Sequence, residues 1–456
     1  LLFLLSSCAT YHQSNQDFHS EFEKGELDDA LAVLQEKNEK VAPKERFLYL
    51  VNNGLVNSML GRYEESNRFF EDAYLFGEDY RINYANEAAS YLTNPMFTVY
   101  RGEDHEHLMV LYYKALNFMK MKRYSEALVE CRRLNTRLQQ LSDRNPQENK
   151  YGRDAFVHML MGILYEADKD YNNAFIAYRN AYEVYKSDYE PLFGLGPGRQ
   201  LRQDVVRTAW LTGFDDEYRR YKAEFGLDST AVSPGSGADL VFLWHNGLVP
   251  VKDEWSINFF IEHKKGSLLI YNRELGVSFP YYLRTDYSEQ EERSLSSLEV
   301  FRVAFPKYVV RLPYYAAASV SGPGGAYPLE VTEDLAKIAV KSLDQRMMRE
   351  FSRALIRVAV KKSLEYSVRK ENAGLGAAIG ILNAITEKAD TRNWQTLPAL
   401  IYYARVPLDE GENNLVFAVK GRKGETEEYR FTYTAAKGET LIHTFSSLET
   451  LNPYSY

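Results

Sequence analysis

Two cysteines in 456 residues, Cys8 and Cys131, are too few for a disulfide framework or a cysteine zinc site. Basic charge is also scarce: 55 Lys and Arg against 63 Asp and Glu give a net charge of -8. General nucleic-acid binding, which needs a basic footprint, is therefore excluded. No apolar run approaches the roughly 20 residues that span a bilayer. Histidine is sparse, and none of the eight sits in a nucleophile or metalloprotease motif. His105-Glu106-His107 offers two imidazoles, but the rest of a closed site cannot be completed, so no metal is assigned. Gly194-Leu195-Gly196-Pro197-Gly198-Arg199 lacks the Gly-Lys-Ser/Thr ending and a preceding strand, so it is no phosphate loop. Gly322-Pro323-Gly324-Gly325 reads as a turn. No cofactor is implied, and no enzymatic activity is expected. What is abundant is tyrosine, 35 residues, many at helical spacing where a ring packs while its hydroxyl stays wet. With 45% hydrophobic and 26% charged residues the chain is an ordinary folded protein, long enough for two or three domains.

Leu1-Leu2-Phe3-Leu4-Leu5 runs into Ser6-Ser7-Cys8. This resembles the lipobox of bacterial lipoprotein precursors, and the resemblance implies diacylglycerol on Cys8 and removal of residues 1–7 as the end of a signal peptide. No methionine or basic n-region precedes the apolar run, so the signal peptide is read as entered partway. Ala9, where aspartate would favour inner-membrane retention, points to the periplasmic face of the outer membrane.

A pattern of Gly-x-Tyr-x-x-Ala, then an aromatic and a further alanine, recurs along the first half. Gly61, Tyr63, Ser66, Phe70 and Ala73 carry one copy, with Gly54 upstream; Tyr171, Ala174, Tyr178 and Ala181 carry another, with Gly162 upstream. Weaker copies run through Gly25, Leu27, Ala30 and Leu34 and through Tyr124, Ala127, Cys131 and Leu134. A degenerate fifth lies at Phe214, Glu217 and Tyr221. The pattern resembles the tetratricopeptide (TPR) repeat, two helices in about 34 residues, stacked because no pair buries its apolar face alone. Insertions are expected at about Glu78 to His107 and around Asp143 to Pro146.

Ser229 to Gly237 breaks the composition. Beyond it Leu240 to Trp244, Ile257 to Glu262, Leu268 to Tyr271, Val300 to Phe305 and Tyr308 to Leu312 read as strands. So do Ala399 to Ala404, Leu415 to Val419, Tyr429 to Tyr433 and Leu441 to Phe445. Hairpin turns are expected at Lys264 to Gly266 and Lys420 to Gly424. A basic amphipathic helix from Thr332 to Lys370 and a second from Leu375 to Lys388 interrupt them. The fold class is thus α + β multidomain: a TPR-like α-solenoid over 8–228, a linker over 229–238, and a β-sandwich-like or sheet domain over 239–456. A helical hairpin is inserted at about 332–389.

Trp244-His245-Asn246-Gly247-Leu248-Val249-Pro250-Val251-Lys252, Met348 to Leu355, Ala389-Asp390-Thr391-Arg392-Asn393-Trp394-Gln395-Thr396-Leu397-Pro398 and Ala404 to Leu408 are similar to segments of a family of uncharacterised bacterial envelope lipoproteins. Some members are linked to lipoproteins that activate penicillin-binding proteins. No activity comes with that resemblance. The anchor and the repeats together lead to the expectation of a lipid-anchored scaffold that binds envelope protein partners through the repeat groove. The alternative is an envelope enzyme, or a peptidoglycan- or lipid-binding module, acting through the C-terminal half. His245, Asn246, Asp390, Arg392 and Trp394 are the candidate recognition residues; their other role is to brace the junction of hairpin and sheet.

Overall fold

The computed structural model describes residues 11–36, 41–82, 98–144, 153–227, 238–264, 267–273, 276–282, 299–347 and 388–451. Cys8, the expected linker, and nearly all of the helical hairpin beyond residue 347 lie outside them.

The first half consists of helix pairs. They are α1 (Gln16–Glu23) with α2 (Leu27–Glu36), α3 (Arg46–Met59) with α4 (Tyr63–Ile82), α5 (Asp104–Lys120) with α6 (Tyr124–Arg144), α7 (Ala155–Ala167) with α8 (Tyr171–Val184), and α9 (Arg199–Thr212) with α10 (Asp215–Phe225). Every pair turns through one left-handed residue two positions before its second helix: Gly25, Gly61, Lys122, Lys169 and Gly213, with φ of 81°, 76°, 58°, 66° and 78°. The two lysines occupy a conformation that glycine adopts freely and others adopt at a cost. They are why the third and fourth copies lack the glycine of the pattern.

The upstream glycines set the closeness of each pair. A Cβ on Gly54 would lie 2.6 Å from the Phe70 ring, and one on Gly162 would lie 2.5 Å from the Tyr178 ring. The same sixteen-residue register pairs Ala115 with Cys131, both buried, so a small residue faces a small one where the aromatic is missing. Ala73, Ala174 and Ala181 are fully buried beside them, while Tyr63 and Tyr171 at the helix starts stay half-buried.

Among the described residues, the second half holds three four-stranded sheets. The first has the order β12 (Thr440–Ser447), β1 (Ala238–Leu248), β9 (Pro398–Leu408), β8 (Glu330–Asp334). In it β1 runs parallel to β12 and antiparallel to β9. The second has the order β11 (Thr426–Ala435), β10 (Gly411–Gly421), β6 (Tyr315–Gly322), β7 (Gly325–Pro328). The third has the order β4 (Val277–Tyr282), β3 (Ser267–Asn272), β2 (Val251–Lys264), β5 (Glu299–Val309).

Side chains alternate across the first sheet. Leu240, Phe242 and Trp244 of β1, with Tyr402, Ala404 and Val406 of β9, share a buried cluster with Leu415, Phe417 and Val419 of the second sheet. Val241 and Leu243, with Ile401 and Tyr403, belong instead to the same cluster as the helix pairs. The layers therefore run helices, first sheet, second sheet. A strand covered on both faces reads as a continuous apolar run, as Leu240 to Trp244 does.

Three expectations are corrected in detail. Val300 to Phe305 and Tyr308 to Leu312 are not two strands, because β5 runs through Pro306, which sits opposite Glu254. Proline, lacking an N–H, is tolerated there because β5 is an edge strand. Thr332 is not helical: it lies in β8 and its Oγ1 donates to the Ile401 carbonyl at 3.0 Å. The helix begins at residue 335 and is described to residue 347 (α11). Four strands were not expected, namely β4, β6, β7 and β8, and three of them are short or lack the β-branched signal.

Candidate functional site at the helix–sheet junction

The first helices of the central pairs are covered on all sides. Every residue from Phe47 to Asn57 in α3 and from His105 to Asn117 in α5 is buried. A helix in a two-layer array has one face for its partner, so a third layer must close the other. That layer is β1, β9 and the extended segment 388–397.

Segment 388–397 lies across α3 and α5 like a bound peptide. The Arg392 guanidinium donates to the carbonyls of Lys44 and Thr98 at 2.8 and 2.9 Å, chelates Asp390, and sits 5.1 Å from the centre of the Tyr100 ring. Trp394 is fully buried against the stacked Phe70 and Tyr113 rings, and its backbone N–H donates to Glu106 Oε1 at 2.6 Å. The Thr396 hydroxyl donates to Asn52 Oδ1 at 2.8 Å. His245, on β1, completes this group: its Nε2 lies 2.8 Å from the Tyr112 hydroxyl, with the Tyr113 ring edge-on. Four of the five candidate recognition residues are thus brought onto one surface of the repeats, and three of those four are buried. Asn246 points the other way and donates to the Tyr315 carbonyl in the second sheet at 3.0 Å.

Two ionic clusters lie at the helix–sheet junction. At the start of α5, Glu103 receives Lys252 of β2 and Arg346 of α11. Burial alone would raise the Glu103 carboxyl, but the two cations overcome it and hold it well below the usual range. Burial, with the charge of Glu103, pushes Glu106 up to about 7. Burial also depresses His105 and His107, each to about 4, and His245 to about 3, so all three are neutral. His107 Nε2 is taken by the Arg101 carbonyl at 2.6 Å. Among the described residues, no group of three or more His, Cys, Asp or Glu is placed to hold a metal ion.

The second cluster joins α7, α9 and β9. Arg405 donates to Glu166 at 2.8 Å and to Asp239 at 2.7 Å, and lies 3.2 Å from Asp204. Arg207 meets Glu166 at 2.7 Å and Asp204 at 2.8 Å. Tyr403 and Tyr178 add hydroxyls to Asp204 and Glu166. Burial raises the Asp204 carboxyl, while in Glu166 the two guanidiniums outweigh burial and lower it. Glu166, Asp204 and Glu103 were not singled out from the sequence, and Arg405 and Lys252 entered only within segments that carry the family resemblance. The available signal was parity: Ile401, Tyr403 and Arg405 share one face of β9, so an arginine stands where the core requires a partner.

The glycine-rich stretch before α9 has a role at the same junction. The Arg199 and Gln200 N–H groups donate to the Glu330 carboxylate of β8 at 3.0 and 2.8 Å. A helix N-terminus attracts an anion, and here the chain supplies its own. A Cβ on Gly198 would come within 2.7 Å of Glu330 Oε2.

No family model matches the chain, and no curated protein does. Among solved structures it is similar to the apo form of RapI at 14% identity and a TM-score of 0.34, over 46% of this chain and 50% of that one. It is also similar to MamA from Desulfovibrio magneticus RS-1 at 19% identity and 0.29, over 48% and 92%. BtubC from P. vanneervenii gives 14% and 0.29, over 47% and 74%. The chain spans half the length of RapI. Likenesses this low define no common fold for the whole chain, and the TPR-like architecture rests on the helix pairs themselves.

Proposed function

We propose that this chain is a lipid-anchored adaptor of the cell envelope, tethered through Cys8. Its repeats form a frame closed on one side by its own β layers and offered to protein partners on the other. The observation that carries the reading is the asymmetry of the array. The surface of α3 and α5 away from α4 and α6 is occupied by 388–397 and the first sheet, whereas α4 and α6 turn Leu75 and Val129 to solvent, 49% and 48% exposed. A groove already filled by side chains in their hydrogen-bonding positions has no room for a partner segment, so recognition moves to the open helices. The anchor rests on the lipobox resemblance. Photo-crosslinking in cells tests both parts, with a crosslinker on α6 and with Cys8→Ser. Discrete envelope-protein adducts from α6, and release of the Cys8→Ser protein into the soluble fraction, are expected. Absence of any adduct from α6 contradicts the adaptor, and an unchanged membrane fraction contradicts the anchor.

A further inference from the structure

Between α4 and α6, on the open side of the array, lies a pocket of about 280 Å³. Three of its seven lining residues are arginines, Arg132, Arg133 and Arg137, and none is acidic. The arginines have different settings. Arg137 is 4% exposed, with Nη1 donating to Gln140 Oε1 at 3.2 Å. Arg133 stacks over the Tyr74 ring, 4.2 Å from its centre, and is steered by Glu71 and Glu130. Arg132 is exposed and donates to the Tyr165 hydroxyl at 3.2 Å. Glu71 and Glu130 are not among the lining residues, and the buried Lys114 bridges them. Val129 and the Tyr74 ring supply the apolar part of the lining.

We infer that this pocket is a recognition site for an acidic, partly apolar segment of a partner protein, a carboxylate on the exposed Arg132 and an apolar side chain against Tyr74 and Val129. Guanidinium forks match carboxylates in geometry as well as charge. A partly apolar concavity suits a side chain better than a lipid surface. An anionic membrane would also meet Asp72, exposed one turn before Leu75, and a protein of net charge -8. The inference deepens the adaptor reading and rests on it for biological meaning, although the binding itself can be measured apart from it.

The probe is a fluorescein-labelled hexapeptide of four glutamates and two leucines, titrated into the full chain at low salt. Saturable binding is expected, with at least tenfold weakening in Val129→Glu and in Arg132→Ala, and none for the lysine counterpart. Val129→Glu is the informative variant, because an exposed position accepts the new carboxylate without unfolding, which circular dichroism checks, and that carboxylate competes for Arg132 one turn on. No saturable binding, or equal binding by Val129→Glu, overturns the site. So does capture by phosphatidylglycerol vesicles or by inorganic phosphate that Val129→Glu abolishes while the peptide fails to bind. If α6 adducts in cells persist unchanged in Val129→Glu, the adaptor reading stands and the pocket assignment falls.

Discussion

Gly162 and Tyr178 show how a single side chain sets the distance between two helices. With a Cβ projected 2.5 Å from the ring, Gly162→Ala must displace Tyr178, whose hydroxyl also holds Glu166 at 3.0 Å. Overpacking of this kind costs about 1–3 kcal/mol, and urea denaturation should show a loss of that size. An unchanged midpoint would mean the pair can open freely. His245 makes a second residue-scale prediction, through pH. Its pKa falls from 6.5 in the unfolded chain to about 3 in the fold, so between those values the unfolded state binds the extra proton. Stability from this group is complete above pH 6.5 and is lost as pH falls. At pH 5 the loss is about 2 kcal/mol. The drop in unfolding free energy between pH 7 and pH 5 should therefore be smaller by about that amount in His245→Gln than in the parent protein. Equal drops would show that His245 is not held neutral. Glu106 works in the opposite sense, gaining a proton in the fold between pH 7 and 4.5, which is why the comparison is made between variant and parent.

Among the elements, β9 carries the coupling of sheet to helices. Its Arg405 neutralises carboxylates from α7, α9 and β1 at once. Removing one member of such a buried set leaves uncompensated charge, and about 3–5 kcal/mol is the usual cost. Arg405→Ala should lose that much in denaturation, while Arg430→Ala on the exposed edge strand β11 should change little. Similar losses from both would contradict a specific role for β9.

This is also the scale at which legibility in the sequence divides. The helix pairs were readable because Gly54 with Phe70, and Gly162 with Tyr178, repeat a steric requirement at fixed spacing. The long strands β1, β9 and β10 were readable from apolar runs and alternation. The junction was only half readable. His245, Arg392 and Trp394 stood out as polar or amphipathic residues in dense segments, yet their partners, Tyr112, Glu106 and the Lys44 carbonyl, lie from 133 to 348 residues away. Pairing over such separations leaves no local period. For the same reason a glycine-rich stretch at 194–198 gave no hint that Glu330 closes the helix after it.

For the molecule as a whole, the decisive property is that helices and sheet are one packed body. One buried cluster contains Phe47, Leu111 and Leu160 of the repeats together with Val241, Leu248, Trp394 and Tyr403 of the second half. A solenoid folding by itself would leave α3 and α5 with an apolar face in water, and a first sheet folding by itself would do the same with β1 and β9. Each half is the other's missing layer, which closes one side of the repeat array and leaves Leu75 of α4 and Val129 of α6 exposed on the other. Hydrogen exchange of the full chain reads this most directly. Peptides from α5 (Asp104–Lys120) and from segment 388–397 should exchange equally slowly, through opening of the whole molecule, and Trp394→Ala should release both together. Rapid exchange of 388–397 while α5 stays protected, or of α5 in the intact protein, would contradict a repeat surface closed by its own chain.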